Sequence, residues 1–113
     1  MIKNINDPNL TVRRPEESIK ISDLFSTSNA QMSIVKIECS GNHSIGINSI
    51  SDRIYYVVDG DGEVYIGDKW YPATTGDCVY ISKGTACSLR GNLSGLVIDS
   101  PPFHPDNETI VTE

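Results

Sequence analysis

The sequence has no long apolar run, no CxxC pair and no cluster of basic residues, and each absence removes a class of protein. No segment approaches the roughly 20 apolar residues that a membrane-crossing helix needs. The N-terminal stretch MIKNINDPNLTVRRPEESIKI lacks an apolar core followed by a small-residue cleavage pattern, so no signal peptide is expected and a cytoplasmic, soluble protein is the simplest reading. Nine Lys and Arg stand against fifteen Asp and Glu, a formal charge of −6 with the cations scattered, which argues against nucleic acid or a membrane as partner. Three cysteines, Cys39, Cys78 and Cys87, are too few and too dispersed for a disulfide framework. They read as reduced core or pocket residues, with a metal or redox role as the alternative.

What is present is a folded, strand-rich chain. Hydrophobic residues at 38% and charged residues at 21% give a globular balance rather than a disordered one, and 113 residues suit one domain over 1–113. A less regular N-terminal segment is expected over 1–31, where Ser18 to Phe25 reads as a short strand or a helical turn, and a tail over 100–113. From Met32, MSIVKIEC is β-branched and partly alternating, so it reads as a strand, with SGNH as the turn after it. Arg53 to Val58 predicts a strand, Asp59 to Gly62 a glycine-rich hairpin turn, and Glu63 to Ile66 the returning strand. Turns at Gly67-Asp68, Thr75-Gly76-Asp77 and Lys83-Gly84 then separate strands at Lys69–Tyr71, Cys78–Ile81 and Ala86–Leu89. Leu93 to Asp99 forms one more strand before Pro101 and Pro102. Short strands at this spacing, with no long helical pattern between them, favour an all-β antiparallel barrel or sandwich.

From Gly41 to Gly91 the chain resembles the cupin family. Gly41, Ile47-Asn48-Ser49, Arg53 and Gly60 follow the spacing of its first motif, in which a glycine precedes a His-X-His pair, a glutamate and a second glycine. Gly76, Ser82-Lys83-Gly84, Cys87 and Gly91 follow its second, which carries another histidine. The resemblance implies a small antiparallel jelly-roll barrel. It also implies a degenerate metal centre, because the ligand positions become Ile47, Ser49, Arg53 and Cys87. A one-residue slip would substitute Gly46 and Asn48, with Asp52 near the glutamate position, and would restore no histidine pair. No metal and no cofactor are therefore expected: Ile47 has no donor, Ser49 is a weak one, and Arg53 puts a permanent cation where a metal ion would sit.

In a strand, alternate side chains share a face. If Arg53 points inward, so do Tyr55 and Val57, while Cys87 and Leu89 share the inner face of their own strand. Ser49 would lie opposite and His43 near the mouth. Arg53, Tyr55, Cys87, Ser49 and His43 are thus the candidate ligand-binding residues, with Arg53 anchoring an anionic or strongly polar group. Arg53 can equally pair with Glu38, Asp52 or another acid. Cys87 reads as a small buried residue, a pocket wall, or a nucleophile if Arg53 lowers its pKa. His104, among prolines, is expected at the surface or against the barrel wall. The leading expectation is a metal-independent domain binding a small polar or anionic metabolite. One alternative is a sugar isomerase or epimerase using His43, Tyr55 or Tyr80 in acid–base chemistry, and another is a structural or regulatory dimer with a packed barrel. The resemblance also implies a homodimer, with the N-terminal region and PPFHPDNETI tail packing across the neighbouring subunit, or with the tail folded back on its own barrel.

Overall fold

The computed structural model describes residues 2–15, 19–25 and 31–111. The strands are β1 (Val12–Pro15), β2 (Ile19–Phe25), β3 (Ser33–Asn42), β4 (Gly46–Asn48), β5 (Asp52–Ile66), β6 (Lys69–Thr74), β7 (Cys78–Ile81), β8 (Ala86–Ser100) and β9 (Glu108–Ile110). Every pairing is antiparallel. Ser18 and residues 26–30 of the N-terminal segment lie outside the described residues, as do 112–113 of the tail. The expected Ser18–Phe25 element is otherwise β2, a strand.

The period-two pattern sets the faces. In β3, Ser33, Val35, Ile37 and Cys39 are buried, while Ile34, Lys36 and Glu38 between them are only partly so. Leu89, Val64 and Ile19 supply the most completely buried apolar side chains of the core. Each contributes about 1.5–3 kcal/mol relative to an exposed position.

Two long strands organise the sheet, and both differ from the sequence expectation. Asp59 to Gly62 is not a hairpin turn. β5 runs unbroken through it and pairs with β8 from Asp52↔Ser100 to Ile66↔Cys87, with one bulge between Val57 and Asp59. β8 likewise continues through Arg90-Gly91-Asn92 rather than breaking into two strands. The glycines permit close approach here instead of chain reversal. At Gly60 (φ +108°) an added Cβ would collide with the Asn92 backbone, and at Gly91 (φ +111°) it would come 2.6 Å from the Gly62 Cα. Ser40 to Asn42 also belongs to β3, which pairs with β8 as far as Asn42↔Arg90. The turns at Gly67-Asp68, Thr75-Gly76 and Lys83-Gly84 are present.

β8 therefore has β5 along one side, and β3 followed by β4 along the other. β2 and β1 extend the sheet beyond β3, and β6 and β7 flank the two halves of β5. The result is a curled antiparallel sheet with its core inside the curl. The C-terminal segment returns to the same barrel, because β9 pairs with β4 through Gly46↔Ile110 and Asn48↔Glu108.

Candidate functional site

β5 places Arg53, Tyr55 and Val57 inside and leaves Tyr56 exposed. Directly across the ladder from Arg53 is Asp99 of β8. The guanidinium donates from Nε to Asp99 Oδ1 at 2.7 Å and from Nη2 to Oδ2 at 3.0 Å, a two-pronged pair with both residues buried. Such a pair orients both groups and is costly to leave half-made. Arg53 Nη2 also lies 3.7 Å from Glu108 Oε2, and the guanidinium carbon sits 5.9 Å from the ring centres of Tyr55 and Phe103. Cys87 Sγ is 3.6 Å from both Arg53 Nη1 and the Tyr55 hydroxyl. The acid paired with Arg53 is thus Asp99. Glu38 instead bridges Lys36 at 3.0 Å, and Asp52 accepts the Lys83 backbone N–H at 2.9 Å.

On β4 the faces follow the one-residue slip. Gly46 and Asn48 are buried, Ile47 is half-buried and Ser49 is exposed. Gly46 opposes Cys87 across the ladder, which sets the register of this three-residue strand. Ser49 therefore stands outside the cavity, its backbone N–H donating to the Asn107 carbonyl at 3.1 Å. The space that a side chain at Gly46 would fill is taken by the Glu108 carboxylate from β9. Asn48 Oδ1 accepts the backbone N–H groups of Ile50 and Ser51 at 2.9 and 2.8 Å. Its Nδ2 is buried without a hydrogen-bond partner among the described residues.

These residues surround a cavity of about 80 Å³, whose polar and aromatic wall is His43, Arg53, Tyr55, Asp99, Phe103 and Glu108, with apolar side chains of β2, β3 and β8 beside them. The C-terminal segment is tied down on the barrel. Ser51 Oγ donates to the Pro101 carbonyl at 2.6 Å, and the Phe103 N–H donates to Ser33 Oγ at 3.0 Å. Of the five sequence candidates, Arg53, Tyr55 and His43 line this cavity, Cys87 lies behind Arg53 and Tyr55, and Ser49 is elsewhere. Tyr80 is 61% exposed, and His104 is exposed beside Asp106. A larger hollow of about 550 Å³ near Gly60 and Asn92 is open at the surface and does not include Arg53.

Burial and pairing act together on Arg53, Tyr55 and Cys87. Burial opposes the Arg53 charge, but the hydrogen bonds and opposite charge of Asp99 outweigh it, so the guanidinium stays charged. Burial pushes the Tyr55 hydroxyl well above its ordinary range. Burial also pushes the Cys87 thiol up, outweighing the opposing pull of Arg53 and the Tyr55 hydrogen bond. An Arg53-activated thiolate is not what the geometry produces.

The metal that the fold family implies does not fit these residues. The inward positions hold Gly46, Asn48, Arg53 and Cys87, and a guanidinium paired to Asp99 occupies their centre. No group of three or more His, Cys, Asp or Glu among the described residues is placed to hold an ion.

Asp99, Phe103 and Glu108 were not singled out from the sequence. Asp99 left one signal, since it shares strand parity with the inward Leu93 and Val97. Phe103 and Glu108 left none, because no periodicity carries a tail back to the barrel.

Residues 49–92 match the Cupin domain family. No curated protein sequence is matched to the chain. The Streptomyces nucleoside dehydratase Pac13, variants of which are solved with uridine, superposes at TM-score 0.84 with 19% identity, covering 98% of this chain and 92% of that one. Ectoine synthase from P. lautus gives TM-score 0.77 at 16% identity over 99% and 90% of the two chains. A cupin-2 domain protein from Rhodospirillum rubrum gives 0.78 at 15% over 100% and 82%. At these identities the likeness is one of fold.

Proposed function

We propose that the cupin-like barrel of this chain binds one small polar metabolite without a metal ion. The observation that carries the reading is the buried Arg53–Asp99 pair in the wall of a cavity whose apolar part is Ile21, Val35, Ile37 and Val97. A fixed polar group among apolar walls is how small-molecule sites orient a ligand. The cavity of about 80 Å³ is roomy for several waters or a compact ligand of a few heavy atoms. Charge refines the ligand class. Asp99 and Glu108 both face Arg53, so two carboxylates meet one guanidinium, and of the polar or anionic ligands expected from the sequence a neutral or protonated one offering hydrogen-bond donors fits better. A cytoplasmic protein with neither nucleic acid nor membrane as partner accords with the −6 charge, and no helix among the described residues is long and apolar enough to cross a membrane.

Ligand-observed NMR with glycerol, ethanolamine and acetate tests this directly. Glycerol or ethanolamine should contact the protein and acetate should not, and Asp99→Asn should erase the signal. Acetate binding alone, lost in Arg53→Met, would reverse the ligand class, and signals indifferent to both changes would remove the site.

A second reading is favoured by His43, Tyr55 and Glu108 lining the same cavity. Three groups able to carry a proton around one enclosed space suit acid–base chemistry such as isomerisation or dehydration of a hydroxylated substrate. Incubation of compact hydroxycarbonyl compounds such as glyceraldehyde and dihydroxyacetone in deuterium oxide distinguishes it. Enzyme-dependent exchange of a carbon-bound hydrogen, abolished by His43→Gln with binding retained, identifies an enzyme, and no exchange in any compound that binds leaves a binding protein.

A further inference from the structure

We infer that the outside of the barrel carries a second binding site, for a neutral sugar ring, built on Trp70 and Arg90. Trp70 of β6 stands opposite Tyr65 of β5, and Glu63 of β5 stands opposite Arg90 of β8. Their parity is opposite to that of the inward Val64 and Leu89, so all four belong to the outer face. There the Arg90 guanidinium carbon lies 3.9 Å from the centre of the Trp70 ring, and the Tyr65 ring meets the same indole edge-on at 5.3 Å. Arg90 Nε donates to Glu63 Oε1 at 2.9 Å, with Nη2 2.8 Å from the same oxygen. Glu63 thus holds the guanidinium against the indole and offsets its charge.

Beside this stack lies an open hollow of about 350 Å³, whose wall also includes Asn42, Ser44, Ile45 and Ile110. The side away from Trp70 is fixed by the backbone. The His43 N–H donates to the Leu89 carbonyl at 3.2 Å, the His43 carbonyl accepts from Ser88 Oγ at 2.7 Å, and the Val111 N–H donates to the Ile45 carbonyl at 2.8 Å. A wall held this way loses little freedom when a ligand arrives. His43 is the one residue shared with the wall of the Arg53 cavity.

Size and chemistry together select the ligand. Small-molecule sites run from about 300 to 1,000 Å³, a range that includes this hollow. Arg90 Nη1 and the side chains of Asn42 and Ser44 make no hydrogen bonds among the described residues, so each is available to a ligand. Sugar hydroxyls both donate and accept, and therefore suit a guanidinium, an amide and a hydroxyl at once. The apolar C–H face of a sugar ring would cover the indole and the two isoleucines. No Asp or Glu lines the hollow, and its permanent cation, Arg90, is already matched by Glu63, so a neutral ligand fits better than a charged one.

Trp70 is the only tryptophan of the chain, so intrinsic fluorescence reports on this hollow directly. Titration of the full chain with methyl glucoside, methyl galactoside and N-acetylglucosamine should shift the Trp70 emission with at least one of them, saturating in the millimolar range. Arg90→Leu should weaken that sugar at least about tenfold and Asn42→Ala at least about threefold. Both side chains are at the surface, and circular dichroism should show both variants folded. No emission change with any of the three sugars, or a change that both substitutions leave untouched, overturns the inference. So does a response to benzoate or cytidine where the sugars give none, because the hollow would then select a flat aromatic ring.

Discussion

The two faces of β5 follow opposite rules. Arg53, Tyr55 and Val57 point inward, and there a fully charged residue is buried among apolar neighbours. Ile54 and Tyr56 point outward, and there apolar residues remain partly open to water. The inner cation is tolerated because β8 delivers Asp99 directly opposite, giving two hydrogen bonds where an unpaired charge would be costly. The outer face is covered less completely: Lys3 lies over the Phe25 ring, while Tyr80 and Tyr56 stay 61% and 41% exposed. One strand thus separates a charge whose demands are met inside the barrel from apolar side chains left partly open to water.

The sharpest way to break the comparison is to unpair the inner charge. Asp99→Ala should lower unfolding stability in urea by about 3–5 kcal/mol, because Arg53 stays buried and charged. Replacing both partners, with Arg53→Met and Asp99→Leu together, should recover most of that loss. A cost below about 1 kcal/mol for Asp99→Ala would mean that water reaches the pair.

Thiol chemistry reads the same contrast. Cys78 is exposed on the outer side, whereas Cys39 and Cys87 are buried, with burial raising the pKa of each thiol. Under native conditions Cys78 should react with a maleimide at least about 100-fold faster than either, a difference of about 2.7 kcal/mol in opening free energy. The raised pKa values also fix the sign of an alkaline effect. Above the ordinary thiol and phenol ranges the unfolded chain releases protons that the native Cys87 and Tyr55 retain, so stability is intact below those ranges and falls as pH climbs through them. A pH titration of the urea midpoint that stays level from neutrality into that range would contradict the burial of both groups.

Glu108→Gln should cost about 1 kcal/mol, since one carboxylate–guanidinium contact is lost while Asp99 keeps its hold on Arg53. The same change equalises charge around the cavity, so acetate should gain affinity relative to wild type in the NMR titration. The smallest folding effect belongs to the outer face. Tyr56→Ser should change the stability of dilute, single-chain protein by no more than about 0.5 kcal/mol. A larger loss would place Tyr56 in the folding core rather than on the open outer face.

Strand alternation made part of this architecture legible. The inward set Arg53, Tyr55, Val57, Cys87 and Leu89 follows from period two once a barrel is assumed, and so does the β7 strand Cys78–Ile81. The Asp-Gly pairs around Gly60 and Gly62 misled in a specific way. The same backbone freedom that closes a two-residue hairpin also lets a long strand bulge and pass close to its neighbour, and a local pattern cannot tell these apart. Ser49 was misplaced for a related reason. β4 is only three residues long, so its register comes from pairing with Cys87 and with β9, not from its own sequence.

By itself the sequence determined an all-β antiparallel chain, because that depends on residue type and on a two-residue period that any strand obeys, while the cupin-type barrel, an inward Arg53 and the altered ligand positions followed from its resemblance to the cupin motifs. Only the tertiary structure decided that Asp99 would neutralise Arg53, that Glu108 would enter the space left by Gly46, and that apolar residues from five strands would align on the outer face. Those outcomes depend on which residues the ladders bring opposite one another across dozens of positions in the chain, a relation set by bulges, strand ends and packing that no local pattern encodes.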